Sequence, residues 1–283
     1  MQKTKRLFLF AGYNANGILD DALIFYVHEL SKFGDVILCM DSDCSKSEMD
    51  KVKLYTIARL GNRHGEYDFG SYKRGFEYAK KHDILKNYNF VYLVNDSVYG
   101  PTLDLHDTIK NIEHLSTDAG GLVVSTHKTH EFMESWFVRL NKKIFISKWF
   151  DDFITSVTHQ ERKSAVTIKY EHGLSNSIKA NGCSWSGVYY FHGRFTYNNP
   201  KRLFKVGCPF IKKSSFVRHN GAIGPQVNYV LNHCDKTVAQ IIKNSANDAY
   251  TKEYISWFLT KNPLLYAWRG LKYAIQKLRN KLK

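Results

Sequence analysis

The chain has 283 residues, 43% hydrophobic and 14% aromatic, enough to bury a sizeable core in one large domain or a domain with an appendage. Its formal charge is +15, from 41 Lys and Arg against 26 Asp and Glu, which implies anionic company: phosphate-bearing substrates, nucleic acid or an acidic membrane surface. Cys39, Cys44, Cys183, Cys208 and Cys234 are scattered and form no CxxC pair, which argues against a disulfide framework or a structural zinc and for a reducing compartment.

Met1 to Arg6 is basic, but only Leu7 to Ala11 follow before Gly12, too short for a signal peptide or a membrane span. Leu7–Ala11 reads instead as a first buried strand. Leu19 to Phe33 carries apolar residues at helical spacing, and Asp35–Met40 is a second strand that runs into Asp41-Ser42-Asp43. Strand, helix and strand in this order make a βαβ unit with a parallel crossover. A third strand is expected near Leu54 to Ala58, before a loop from Arg59 to Gly70. Ser71 then reads as a helix N-cap, with Tyr72, Phe76 and Ala79 as the apolar stripe. Lys73 and Arg74 fall in the first turn of that helix, where the dipole disfavours cations; a bound anion would reverse the sign, and pointing into solvent is the alternative.

Phe90 to Val94 is an apolar run suited to a strand buried on both faces, and it delivers Asn95-Asp96-Ser97 before Gly100-Pro101 turns the chain. Ligands of α/β sheets bind outside the carboxyl ends of the strands, so Asp96 is a candidate anchor for a diphosphate, through a metal; the alternative is an Asx turn closing the strand. Gly121–Ser125 is a fifth strand. Met133, Trp136, Phe137 and Leu140 recur at i, i+3, i+4 and i+7 and predict an amphipathic helix, and Ala165–Tyr170 alternates like a strand that delivers Glu171-His172-Gly173. A short helix with Leu174 and Ile178 on its apolar face ends at Asn181-Gly182. Asn262-Pro263 caps a last helix whose apolar positions, Leu264, Trp268, Leu271, Ile275, Leu278 and Leu282, step by four and three, while Lys261 to Lys283 holds seven Lys and Arg and no acid. That pattern fits a helix lying on anionic lipid; docking on the protein's own core or a partner helix is the alternative. The division expected is a catalytic domain over 1–235 and a basic helical tail over 236–283.

Arg63-His64-Gly65-Glu66-Tyr67-Asp68-Phe69-Gly70-Ser71-Tyr72 and Leu93-Val94-Asn95-Asp96-Ser97-Val98-Tyr99-Gly100-Pro101 resemble the rhamnan synthesis protein F family. Ser135-Trp136-Phe137, Tyr170-Glu171-His172-Gly173-Leu174-Ser175 and Gly207-Cys208-Pro209-Phe210-Ile211-Lys212-Lys213 extend the likeness in the right order. The resemblance implies a GT-A-like α/β fold, a Rossmann-type mixed, mostly parallel sheet flanked by helices with a helical tail. It also implies a bacterial polysaccharide glycosyltransferase using a nucleotide-activated sugar. On that plan Asp41 and Asp43 face the nucleoside, and the loop from Arg63 through Asp68 and Gly70 to Ser71, with Lys73 and Asn95, covers nucleotide and diphosphate. Asp96 takes the place of the metal-binding DxD motif, for Mg²⁺ or Mn²⁺; Asn95-Asp96-Ser97 supplies one carboxylate where that motif has two.

Glu171 is the candidate base that deprotonates the acceptor hydroxyl in an inverting displacement; a first-turn acid favoured by a helix dipole is its alternative. Lys212, Lys213, Arg218 and His219 could neutralise the leaving diphosphate or an anionic acceptor, and His192 and His219 are conceivable metal ligands. The expectation is a hexosyltransferase on the inner face of the cell membrane, moving rhamnose or galactose from a dTDP- or UDP-sugar to a lipid-linked glycan, without a role for nucleic acid. The competing class is a basic nucleic-acid-binding protein without catalytic activity, and a polysaccharide-binding module leaves the acidic strand ends without a task.

Overall fold

The computed structural model describes residues 4–217, 223–260 and 262–281. In chain order the strands are β1 (Arg6–Gly12), β2 (Asp35–Met40), β3 (Ala58–Gly61), β4 (Phe90–Asn95), β5 (Val98–Tyr99), β6 (Ala119–Thr126), β7 (Glu131–Met133), β8 (Phe137–Asn141), β9 (Trp185–His192) and β10 (Ile211–Lys212). They belong to two compact units: residues 1–96 with 105–193, and residues 97–104 with 194–283.

The first unit is built on one mixed sheet of order β3-β2-β1-β4-β8-β6-β7, with β9 beside β6. β3, β2, β1 and β4 run parallel, β8 is antiparallel to both β4 and β6, and β9 is parallel to β6. The parallel strands are buried on both faces, which is why β1 and β4 read as unbroken apolar runs. Helices Asp21–Ser31 and Tyr67–Lys81 cover the sheet. Their buried residues, Tyr26, Val27 and Leu30 on one and Tyr72, Phe76 and Ala79 on the other, recur at helical spacing. This is the α/β class expected, a mixed sheet flanked by helices.

Four local expectations fail, each for a physical reason. Met133 to Leu140 is not a helix: β7 ends at Met133, Glu134-Ser135-Trp136 breaks the pairing, and β8 pairs with β4. β8 is buried on both faces, Arg139 included, so its apolar residues carry no period and imitate a helical stripe. Arg139 tolerates burial because its guanidinium donates to the carbonyls of Ile112, Leu115, Thr117 and Asp118. Ala165–Tyr170 is not a strand either. It lies in the helical turn Lys163–Val166 and the π-helical segment Thr167–His172, which lead into the helix Gly173–Ala180. Buried Val166, Tyr170, Leu174 and Ile178 fall every four residues through all three, while Ile168 is 67% exposed. The third strand begins only at Ala58, after a 3₁₀ turn at Lys53–Tyr55 that leaves Leu54 exposed. Finally, the helix expected to be capped by Ser71 starts five residues earlier, at Tyr67 with Glu66 in the cap position. β9 had no counterpart in the sequence reading.

In the second unit β5 and β10 pair antiparallel, and Tyr99 packs edge-on against Phe216 with ring centroids 5.1 Å apart. Helices Ile223–His233, Lys236–Tyr250 and Lys252–Phe258 bury Val227, Val230, Ile242, Ile255 and Phe258. The residues expected to form a tail fall within this unit. Its last helix, Pro263–Lys281, opens with the Asn262 side chain accepting from the Leu264 amide at 3.0 Å, the cap that the sequence foretold.

Candidate functional site

Parallel register brings the carboxyl ends of β2, β1 and β4 to one end of the sheet. Ala11 is level with Asn95 and Gly12 with Met40, so Tyr13, Asp96 and Asp41 leave the sheet side by side. The Asp96 amide donates to the Ala11 carbonyl at 3.0 Å, and the Tyr13 amide donates back to Asp96 Oδ2 at 3.4 Å. Asp96 is half-buried. The loop after β1 was read only as a strand end, although the rule that singled out Asp96 applies to its neighbouring parallel strand as well.

The loop from Arg63 to Tyr67 is wrapped around Asp41. Asp41 Oδ1 accepts from the His64 and Gly65 amides at 2.8 and 2.7 Å, and Oδ2 from the Tyr67 amide at 3.3 Å. Asp41 is thus the anion at the start of the helix Tyr67–Lys81, favoured by the helix dipole and by charge-assisted bonds. Asp43 Oδ1 accepts from the Arg63 amide at 2.9 Å, and the half-exposed Arg63 guanidinium lies 5.0 Å above the Tyr13 ring.

His64 fastens the loop to the helix. Its Nδ1 accepts from the Glu66 amide at 3.1 Å, so Nδ1 carries no proton and Nε2–H donates to Ser71 Oγ at 3.0 Å. Burial pushes the imidazole down to about 4, outweighing the pull of Asp41. The 3.5 Å approach of His64 Nδ1 to Asp41 is therefore no ion pair. Gly70 is required by the same wrap: a Cβ there would stand 2.3 Å from Glu66 Cβ and 2.8 Å from His64 Cε1. Lys73 and Arg74 lie beyond the first turn. Lys73 Nζ donates to the Val157 carbonyl at 2.9 Å, and Arg74 pairs with Glu66 at 2.6 Å. Gly70 and Ser71 thus hold the loop against the helix, and Lys73 ties the helix to the Val157 carbonyl.

A second group forms where β4 meets the break between β7 and β8. The Asn95 amide donates to the Trp136 carbonyl at 3.3 Å, and Asn95 Nδ2 to Asp68 Oδ2 at 3.1 Å. Glu171 Oε1 accepts from the Ser135 amide at 2.6 Å and from Ser135 Oγ at 2.8 Å, while the buried Tyr72 hydroxyl donates to the Ser135 carbonyl at 2.9 Å. Burial first, then the charge of Asp68 and more weakly of Glu171, raises the Tyr72 phenol well above its ordinary value. Asp68, Asn95 and Glu171, separated widely in sequence, thus share one assembly through Tyr72 and Ser135, which sequence reasoning did not place in a site. The Ser135-Trp136-Phe137 motif was visible, but its reading as a helix hid the amide that holds Glu171.

Lys212 and Lys213 belong to the second unit. Lys212 is 6% exposed, its Nζ donates to Ser97 Oγ at 3.3 Å and lies 5.5 Å over the Tyr197 ring, and Lys213 Nζ lies 5.3 Å over the Tyr99 ring. Arg218 and His219 lie outside the described residues. His192 packs against His127, with ring centroids 5.9 Å apart. Among the described residues no group of three or more His, Cys, Asp or Glu is placed to hold a metal ion. Asp96 offers one carboxylate at the sheet end, which fits a Mg²⁺-type ion held chiefly by substrate phosphates and does not fit a shell supplied by protein alone.

A mixed α/β sheet whose adjacent parallel strands bring acidic side chains to their carboxyl ends defines the class. The profile of the rhamnan synthesis protein F family matches residues 36–270, and the chain belongs to that family, one of glycosyltransferases. It is 23% identical over 181 residues to the uncharacterized protein y4gN of Sinorhizobium fredii, a stretch that is 62% of this chain and spans 46% of that relative's length. Among solved structures it is similar to a protein described as a nucleotide-diphospho-sugar transferase from Desulfovibrio desulfuricans G20, at a TM-score of 0.44 and 14% identity, covering 90% of this chain and 99% of the other. It is also similar to core-mannan synthase A of Aspergillus fumigatus in its Mn/GDP form, at a TM-score of 0.33 and 14% identity, covering 54% and 63%.

Proposed function

We propose that the protein transfers a hexose from a nucleotide-sugar, a dTDP- or UDP-sugar such as one of rhamnose or galactose, to a lipid-linked cell-surface polysaccharide acceptor. The observation that carries this reading is that β4 delivers Asp96 at its carboxyl end and holds Asp68 through Asn95, whose amide also donates to Trp136, the residue after the Ser135 that holds Glu171, in a chain of the rhamnan synthesis protein F family. Asp96 anchors the donor diphosphate. A divalent cation, Mg²⁺ or Mn²⁺, would be held there by Asp96 and the donor phosphates and would supply positive charge against the leaving diphosphate. Arg63, exposed beside Tyr13, supplies further positive charge, and Asp41 and Asp43 act through the loop whose amides they hold.

Glu171 is the base of an inverting transfer. Two donors from Ser135 fix one of its oxygens, and the role assigned to the carboxylate is to take the proton of the acceptor hydroxyl. The reading is tested by thermal shift with UDP- and dTDP-sugars, with and without Mg²⁺ or Mn²⁺. Stabilisation by one nucleotide-sugar family is expected, and no shift with any of them would contradict it.

The enzyme works at the inner face of the cell membrane as a peripheral protein. No helix of the described residues is long and apolar enough to cross a membrane. The helix Pro263–Lys281 instead exposes Leu264 by 80%, Trp268 by 58%, Leu271 by 54%, Ile275 by 43% and Leu278 by 62%. An apolar seam left in water on a helix rich in Lys and Arg is the pattern of an anionic-lipid anchor. Removing residues 262–283 is expected to abolish sedimentation with phosphatidylglycerol vesicles while leaving the unfolding transition in place. A truncated protein that still sediments would contradict the anchor.

A further inference from the structure

Beyond the carboxylates, four elements bring aromatic rings to one place. The β6–β7 hairpin closes with the His127 amide donating to the His130 carbonyl at 2.9 Å, Phe132 follows on β7, His172 ends the π-helical segment, and His192 ends β9 level with Thr126. The His127 and His130 rings stack with centroids 4.7 Å apart and planes within 12°. Phe132 is parallel to both, at 6° and 13°, and His172 lies 4.0 Å from Phe132 and 5.0 Å from His130. His127, His130 and His192 are exposed and His172 is half-buried.

Phe132 is buried at the back of the cluster, but a purely structural cluster would also cover the histidine rings, and a metal site would turn their nitrogens towards a common point. Here the His127, His130 and Phe132 planes run nearly parallel, and no metal-holding group is present among the described residues. Burial, reinforced by His130 and His127, pushes the His172 imidazole down, so at neutral pH it is uncharged and keeps one donor and one acceptor nitrogen. Flat apolar faces with polar edges suit a pyranose, whose axial C–H groups pack on a ring while its hydroxyls exchange hydrogen bonds at the rim. The cluster adjoins the candidate base: Glu171 immediately precedes His172 and is held by Ser135, three residues beyond Phe132.

We propose that His127, His130, Phe132 and His172 form an acceptor subsite that stacks a neutral hexopyranose of the growing glycan beside Glu171. The subsite rests on the glycosyltransferase reading, and its test separates the two. Imidazole resonances are followed by long-range ¹H–¹⁵N NMR while methyl α-L-rhamnopyranoside, methyl β-D-galactopyranoside or inorganic phosphate is added, and donor hydrolysis is measured in parallel. Saturable shifts at His127, His130 and His172 with a glycoside are expected. The exposed-site variant His130→Ala should lose the shifts at His127 and His172 while keeping the parental unfolding midpoint. No shift with either glycoside, shifts that survive His130→Ala, or shifts with phosphate alone would overturn the subsite. With donor hydrolysis intact, any of these leaves the transferase reading standing; absent donor hydrolysis would strike that reading instead.

Discussion

His64 is the side chain on which the loop over the sheet end turns. Held neutral between the Glu66 amide and Ser71, it is protonated in the folded protein only near pH 4, whereas an unfolded histidine takes up a proton below about pH 6.5. In that window the unfolded chain binds more protons. The contribution is therefore complete above the unfolded value and is lost as pH falls towards the folded one. His64→Gln is expected to be less stable than the parent at neutral pH and to lose less stability between about pH 7 and pH 5. Equal slopes for the two proteins in urea unfolding across that range would contradict the assignment. Asp41 belongs to the same knot. Its charge is spent on three loop amides, so its removal should disorganise the loop before it touches chemistry.

The helix Tyr67–Lys81 shows how far local sequence carries and where it stops. Its apolar stripe was legible, but its start was not. Ser71 has the composition of a cap, yet the helix is opened by Asp41, which lies 30 positions away from Ser71 and cannot be found by spacing. Gly70 is the record of that packing, because the loop from His64 to Glu66 occupies the space of its missing side chain. Gly70→Ala is expected to cost about 1–3 kcal/mol, the usual range for overpacking, read as a lower urea midpoint with an unchanged slope. A midpoint at the parental value would show that the loop can move aside freely. β1, β2 and β4 were legible because strands buried on both faces leave long apolar runs. β8 was misread for the same reason, since a run without polar interruption has no period to show. The π-helical segment was misread because three neighbouring residues can alternate by accident; its true spacing of four emerges only when Leu174 and Ile178 are counted with it.

At the scale of the whole molecule, the sheet order brings the acidic strand ends side by side. Parallel β2, β1 and β4 are adjacent, so residues ending each strand arrive together whatever their distance in sequence. Tyr72 and Ser135 complete the site from a helix face and the break between β7 and β8, where the motif was visible but its geometry was not, and the histidines come from the β6–β7 hairpin, the π-helical segment and the end of β9. The central claim is that this sheet end works on a nucleotide-sugar, with Asp96 at the diphosphate and Glu171 as base. The most direct measurement is single-turnover transfer or donor hydrolysis with the donor identified by thermal shift, comparing the parent with Asp96→Ala and Glu171→Gln after unfolding curves have shown both variants folded. Glu171→Gln is expected to lose about 10²–10⁴-fold in rate, the range of a general base, with donor binding retained, and Asp96→Ala to weaken donor binding as well. Parental rates in both variants would contradict the account.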